Sequence, residues 1–181
     1  MSDGDGDGDG DGDRDDGDLR CRAATEADWP SIWPIVEAVV RRGDTYAYDP
    51  DLGEHEAHDL WMRTGVGRSA THVAEVDGTV VATARLQPSQ PGLGDHVANG
   101  SWMVDPSVTG RGVGRALASF TLDEARRLGY RAMRFDAVVA SNTRAISLWT
   151  SLGFEIVGTV PRAFRHRELG LVDLHVMHRE L

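Results

Sequence analysis

Cysteine is nearly missing from the chain: Cys21 is the single one in 181 residues. No internal disulfide can form, which fits a reducing compartment. A long apolar run is missing too. Nothing approaches the roughly 20 residues of a membrane span, so no membrane partner is expected. The N-terminus is acidic and has no apolar segment of the signal-peptide kind, which makes the cytoplasm the expected location. Excess positive charge is also absent. The formal net charge is −10, and residues 2–18 hold nine aspartates against one arginine, Arg14. The remainder is close to neutral, so charge gives no reason to expect nucleic acid or an anionic surface as a partner.

Several motifs fail on spacing. The phosphate-loop pattern G-x-x-x-x-G-K-[ST] does not occur. The dinucleotide fingerprint G-x-G-x-x-G, counted from Gly110 or Gly112, ends on Arg115 or Leu117. Glu54-His55-Glu56-Ala57-His58 is one residue short of the zinc motif H-E-x-x-H. Glu54 and His58 read instead as an i,i+4 surface pair on a helix. His175 and His178, three apart on a strand, point to opposite faces. No metal site is expected. Cys21 alternates with charged neighbours and reads as core rather than as a nucleophile.

What is present divides into two parts. Residues 1–18 alternate Asp and Gly, bury nothing and should be disordered. The run resembles the start of a calcium loop, but such a loop ends in a bidentate Glu at its twelfth position. Counted from Asp3, Asp5 or Asp7, that position is Arg14, Asp16 or Asp18. Weak, nonspecific cation binding is the most it supports. Residues 19–181 make one domain with one core.

In that domain, residues 19–24 alternate as a strand. Thr25 and Asp28 then form an approximate capping box for a helix with apolar Trp29, Ile32, Trp33, Val36 and Val40 at helical spacing. Gly43 should end it, with Pro34 as a point of kinking or division. A second helix is predicted over 54–63. Strands over 71–76 and 79–86 flank an Asp77-Gly78 turn, a strong hairpin signal. Residues 87–94 read as a loop and 97–104 as a strand. Further elements are a helix over 114–128, a strand over 131–139, a helix over 143–152, and strands over 154–160 and 172–178. The order describes a mixed α/β sheet.

The most informative stretch is residues 104–120, VDPSVTGRGVGRALASF. A strand, a glycine-rich loop and the N-terminus of an amphipathic helix follow one another. Gly110, Gly112 and Gly114 let a ligand approach the backbone, and free N–H groups at the positive end of the helix dipole suit a pyrophosphate. Arg111 and Arg115 can add charge. A glycine-rich turn without a ligand is the alternative reading.

Arg111-Gly112-Val113-Gly114-Arg115-Ala116 resembles the R/Q-x-x-G-x-G/A signature of the GCN5-related N-acetyltransferases, and it follows a strand ending in V-D-P. Asn142, Ala145, Leu148, Gly153 and Phe154 resemble that family's N-x-x-A-x-x-L-Y-x-x-x-G-F segment, with Trp149 at the Tyr position. The resemblance covers nearly all of residues 19–181. It implies a mostly antiparallel central sheet flanked by helices, with acetyl-CoA as co-substrate and no metal. Its pyrophosphate would lie on the amides of Val113, Gly114, Arg115 and Ala116, flanked by Arg111 and Gly112. Asn142 and Trp149 would border the cofactor. A main-chain N–H near Met103 or Val104 would meet the thioester oxygen. The family often has Tyr where this chain has Trp149, and an indole N–H is no useful acid. A thiolate can depart unprotonated, so Trp149 reads as packing.

Residues 99–161 also resemble the fungal acetyltransferases of azetidine-2-carboxylate and related proline analogues. Gly43-Asp44-Thr45-Tyr46, Asn99-Gly100, Ser141-Asn142, Trp149 and residues 157–161 carry that likeness. Asn99 and Asn142 match two acceptor-side asparagines of those enzymes, and Asp136 stands where a third would be. A carboxylate there favours a more cationic amine. Asn99, Asp136 and His96 are the candidates for handling the proton of the attacking amine, Asn99 by positioning water. A salt bridge to Arg131 or Arg134 is the alternative reading of Asp136. Thr45, Tyr46 and Tyr48 are expected to wall the acceptor site. The basic segment 160–171 is either a cover over that site or a solvated loop. The expected partner is a small amine or an amino acid. A protein amine as acceptor, a sensor without turnover and a calcium-responsive protein are the competing functions. A homodimer is carried as an expectation for which no residue argues.

Overall fold

The computed structural model describes residues 18–63, 67–108 and 111–181. The Asp-Gly run, apart from Asp18, lies outside the described residues, as does Gly110. The elements are β1 (Leu19–Ala23), α1 (Trp29–Arg42), α2 (Glu54–Met62), β2 (Ala70–Val76), β3 (Thr79–Pro88), β4 (Val97–Val104), α3 (Val113–Arg127), β5 (Ala132–Val139), α4 (Thr143–Ser151), β6 (Glu155–His166) and β7 (Gly170–Glu180). The strands form one sheet in the order β1-β2-β3-β4-β5-β7-β6. Every neighbouring pair is antiparallel except β4 and β5. The architecture is the mixed, mostly antiparallel α/β sheet expected.

The capping box at Thr25 forms as predicted, but it opens a single 3-10 turn, residues 26–28, and α1 starts at Trp29. Asp28 accepts from the Thr25 N–H at 2.7 Å and pairs with Arg22, which also holds Glu75. The Arg22 guanidinium keeps the Asp28 carboxyl well below the usual range. Pro34 sits inside α1 without dividing it, and Gly43 ends the helix at φ 62°.

One face of the sheet packs on α1 and α2 through Ile32, Val36, Trp61, Val73 and Met103. The other packs on α3 and α4 through Leu86, Ala98, Leu122, Phe135, Trp149 and Phe154. Cys21 packs at the margin of a third cluster, and burial raises its thiol pKa. Glu54 does not pair with His58. It accepts from the Trp29 indole N–H at 3.1 Å, and His58 meets Glu26 at 2.9 Å.

Two stretches read as loops are strand. Gln87 and Pro88 continue β3 opposite Asn99 and Ala98. Proline is tolerated there because Ser89 donates to the Val97 carbonyl, so the Pro88 nitrogen is turned away from β4. Residues 160–166 continue β6 through a bulge between Val160 and Phe164. Arg162 takes a left-handed φ of 54° in that bulge, and its N–H donates to Asp173 Oδ1 at 2.8 Å. The basic segment is therefore the end of a β6–β7 hairpin. Among the described residues no helix is long and apolar enough to cross a membrane.

Candidate active site

β4 and β5 run parallel and pair only at Val97 with Ala132 and Ala98 with Met133. Beyond those positions the strands part. Each stays paired on its outer edge, β4 to β3 as far as Val104 and β5 to β7 as far as Val139. The result is a cleft of about 700 Å³ through the sheet, lined by both strands, by the start of α3 and by residues 44–48. A bulge in β5 between Phe135 and Val138 turns Asp136 and Ala137 out of the ladder. Aromatic rings wedge the strands apart. Trp102 and Phe135 have centroids 5.2 Å apart, and each lies 4.7 Å from Trp149. Trp102 is fixed by its indole N–H on Thr121 Oγ1 at 2.9 Å. Its ring folds over Gly100, where a Cβ would stand 2.5 Å from it and 3.0 Å from the Arg85 carbonyl. Trp149 is 7% exposed and packs in this cluster, as a residue of the cleft floor.

Main-chain direction along β4 alternates, and three bonds fix its phase. Asp105 N–H reaches the Val81 carbonyl, Ser89 N–H reaches the Val97 carbonyl, and Arg131 N–H reaches the His96 carbonyl on the β5 side. Odd-numbered residues of β4 therefore point their peptide groups at β3, and Gly100, Trp102 and Val104 point theirs into the gap. This corrects the expectation for Met103. Its peptide groups face Thr83, and its side chain is 1% exposed in the α1–α2 core. Two of the gap-facing amides are already engaged. Gly100 N–H donates to Asn99 Oδ1 at 2.7 Å, and Trp102 N–H donates to the Tyr46 hydroxyl at 3.0 Å. Val104 N–H has no partner among the described residues.

On the α3 side of the sheet, Asp105 Oδ1 accepts from Ser107 N–H and Oγ–H, which turns the chain into the loop. Gly112, at φ 73°, caps α3. The amides of Val113, Gly114 and Arg115 precede the first intrahelical bond and have no partner among the described residues, an arrangement that suits an anion. Ala116 is a correction: its N–H already donates to the Gly112 carbonyl at 3.0 Å. Arg115 reaches across to Ser151 Oγ at 2.8 Å. Arg111 and Gly112 line the cleft. Asn142 also borders it while capping α4, its Oδ1 accepting from Ala145 N–H at 3.1 Å. Arg144, in the first turn of α4, is a cleft residue that no sequence signal singled out.

On the α1 side, Asn99 Nδ2–H donates to Asp136 Oδ2 at 3.4 Å, joining the two strands across the gap. Asp136 also forms the anticipated ion pair with Arg134, Nε to Oδ1 at 2.7 Å. Thr45, Tyr46 and Tyr48 wall this mouth, with Tyr46 and Tyr48 stacked at 5.9 Å. Burial pushes the Tyr46 phenol above its usual pKa. Arg85, beside Ser101 in the ladder, has a buried Nε and no ion-pair or hydrogen-bond partner among the described residues. Desolvation lowers its pKa. The β6–β7 hairpin closes in from one side, where Arg167 N–H donates to the Gly43 carbonyl at 3.1 Å. His96 is exposed at the start of β4 and does not line the cleft. Among the described residues no group of three His, Cys, Asp or Glu could hold a metal ion.

A cleft through a splayed parallel pair, with a free helix N-terminus at one mouth and ionisable groups at the other, can be compared with known proteins. The model of the acetyltransferase (GNAT) family matches residues 33–154. The chain belongs to the GNAT acetyltransferase family. A GCN5-related N-acetyltransferase from Kribbella flavida is 51% identical, superposes with a TM-score of 0.87, and the match covers 90% of this chain and 98% of that one. The N-acetyltransferase aca1 of Schizosaccharomyces pombe is 28% identical, over 78% of this chain and 75% of its own length. The protein yncA of Salmonella typhimurium, solved with its cofactor acetyl-CoA, is 26% identical with a TM-score of 0.80, covering 90% of this chain and 94% of that one. This GNAT chain is an acetyltransferase by family, and its cleft lies where β4 and β5 separate.

Proposed function

We propose that this enzyme transfers the acetyl group of acetyl-CoA to the amine of a small molecule or amino acid, by direct attack in a ternary complex. The observation that carries this reading is the cleft itself. It joins three free helix amides on one face of the sheet to the Asn99–Asp136 pair on the other. The pyrophosphate fits the amides of Val113, Gly114 and Arg115, with Arg111 beside them. The pantetheine arm fits the gap, where Val104 N–H offers it a donor. The thioester then lies between Trp102 and the acceptor mouth, over Trp149.

The attacking amine must arrive neutral. Asp136 is the group we assign to take its proton, and Asn99 orients the amine or a water between them. Arg134 holds the Asp136 carboxylate in place, and a carboxylate at this mouth favours a cationic amine over a neutral one. Trp149 in place of a hydroxyl-bearing residue favours a second reading, an acetyl-CoA sensor without turnover. We include the homodimer in the proposal: β6 is an edge strand that exposes Ile156, Val157 and Val160.

The test is acetyl-CoA-dependent release of free thiol by the full chain, over proline analogues, common amino acids, polyamines and short peptides. The chain contains no lysine, so self-acetylation of lysine cannot contribute. Release with amino acids or small amines is expected. Release with peptides alone overturns the acceptor class. Silence while acetyl-CoA raises the melting temperature supports the sensor. No acetyl-CoA binding at all removes the proposal.

A further inference from the structure

The hydroxyl of Tyr46 sits where a ligand's oxygen would sit. Of the three gap-facing residues of β4, Val104 is nearest the α3 N-terminus. A Cβ on Gly114 would stand 3.6 Å from its side chain. Gly100 lies furthest away, and its amide is closed by Asn99. An arm that starts at the pyrophosphate and runs down the gap reaches Val104 first and Trp102 next. At Trp102 the partner of the amide is Tyr46 Oη. That oxygen accepts from Trp102 N–H at 3.0 Å and donates to the Trp102 carbonyl at 2.5 Å. The phenol therefore completes the hydrogen bonding of a bare strand edge, the place a bound thioester carbonyl would take.

We infer that Trp102 N–H and the Tyr46 hydroxyl together form the oxyanion site for the thioester, and that Tyr46 is a catalytic residue of the acetyl transfer. The inference rests on the acetyl-CoA reading above. When the thioester enters, its oxygen replaces Tyr46 Oη on the Trp102 amide. The displaced hydroxyl turns its hydrogen from the Trp102 carbonyl to that oxygen. The amine lone pair then forms the C–N bond while the carbonyl π pair moves onto oxygen, held by two donors. Collapse restores the C=O bond, breaks the C–S bond and sends its electron pair out on sulfur. The second proton, on the newly bonded nitrogen, passes through water to the departing thiolate, and Tyr46 keeps its own proton throughout. Burial raises the phenol's pKa, which suits a group that must donate a hydrogen bond without ionising. A side-chain donor at this point also gives the site a hydroxyl that Trp149 cannot supply.

The test compares the full chain with Tyr46→Phe, using the acceptor that supports thiol release in the wild type. The variant keeps the ring and its stacking on Tyr48. Turnover should fall about 10²- to 10³-fold, the usual effect of removing one oxyanion donor. The dissociation constant for CoA and the pH profile of kcat should hold. Unchanged turnover overturns the inference. So does a fall matched by lost CoA binding, because that assigns Tyr46 to edge capping alone. A wild-type high-pH limb that vanishes in the variant also overturns it, because Tyr46 would then be giving up its proton. A wild type that releases no thiol with any acceptor removes the acetyl-transfer reading first, and this inference with it. If the variant does not fold, the wild-type chain crystallised with a ketone analogue of acetyl-CoA decides. Tyr46 Oη and Trp102 N should both lie roughly 2.7–3.1 Å from the ketone oxygen. A ketone bound to neither overturns the inference.

Discussion

On the proposed function, the two mouths of the cleft would recognise their ligands in different ways. At the α3 mouth, recognition would rest on main chain: the amides of Val113, Gly114 and Arg115, ordered by a glycine cap and one short segment. At the α1 mouth it would rest on side chains from separate elements. Tyr46 comes from the α1–α2 connection, Asn99 from β4, and Asp136 from β5. A main-chain site tolerates most substitutions but fails when a side chain blocks it. A side-chain site can change its ligand one residue at a time. The first mouth should therefore be common to the fold, and the second should distinguish this enzyme from its relatives.

The sharpest way to break that contrast is Gly114→Val. Its Cβ would make only ordinary contacts with Val104 and Leu148, so the fold should persist while the added methyls fill the approach to the amides. Acetyl-CoA affinity should fall at least a hundredfold, about 2.7 kcal/mol, by calorimetry. Undiminished affinity would remove the α3 mouth from the account. Next is Gly100→Ala, which drives a Cβ into the Trp102 ring. It should cost about 1–3 kcal/mol of stability and lower turnover, because Trp102 both wedges the strands and carries the proposed oxyanion amide. Wild-type melting and turnover would show that the ring is not held as described.

Asp136→Asn sharpens the comparison from the acceptor side. It should raise the KM for the amine by about tenfold, roughly the 1.4 kcal/mol of one charge-assisted contact, and leave acetyl-CoA binding alone. Equal changes in both would mean that the two mouths are not separable.

The smallest effect tests the scaffold behind the cofactor mouth. His72 is 1% exposed on β2, with Nδ1 unpartnered among the described residues and Nε2 3.9 Å from Glu124 of α3. Desolvation lowers its pKa, opposed by Glu124 and aided by Arg127. The folded chain therefore favours neutral His72. Its contribution is fully present above the ordinary histidine pKa of about 6.5 and is lost as pH falls below it, by at most about 1.4 kcal/mol per pH unit. Thermal melts should show that loss in the wild type and a weaker one in His72→Leu. Parallel curves would refute it.

The same contrast explains what could be read from the residues alone. The α3 mouth was legible because its chemistry is local: a strand end, a glycine cap and a helix start within residues 104–116. Ala116 differs from its expected place because the first intrahelical bond depends on which glycine caps the helix, and the cap is Gly112. Met103 differs because the phase of strand alternation is set by partners on β3, invisible in β4 itself. Gln87-Pro88 and residues 160–166 read as loops because proline and charge dominate them. The ladder accepts Pro88 where no N–H is needed, and Asp173 supports Arg162 from a distant strand. Arg85 and Arg144 carried no signal, since an arginine acquires meaning only from what faces it. Thr45 and Tyr46 were found only through a resemblance, and nothing in their sequence announced the bond to Trp102.

The most direct test of the central claim is stoichiometric. The full chain is incubated with acetyl-CoA and an accepted amine, and free thiol and N-acetylated amine are measured together over time. Equal yields, each requiring both substrates, are predicted for direct attack across the cleft. Thiol released while the amine stays unmodified would mean hydrolysis or a sensor, and would contradict the account.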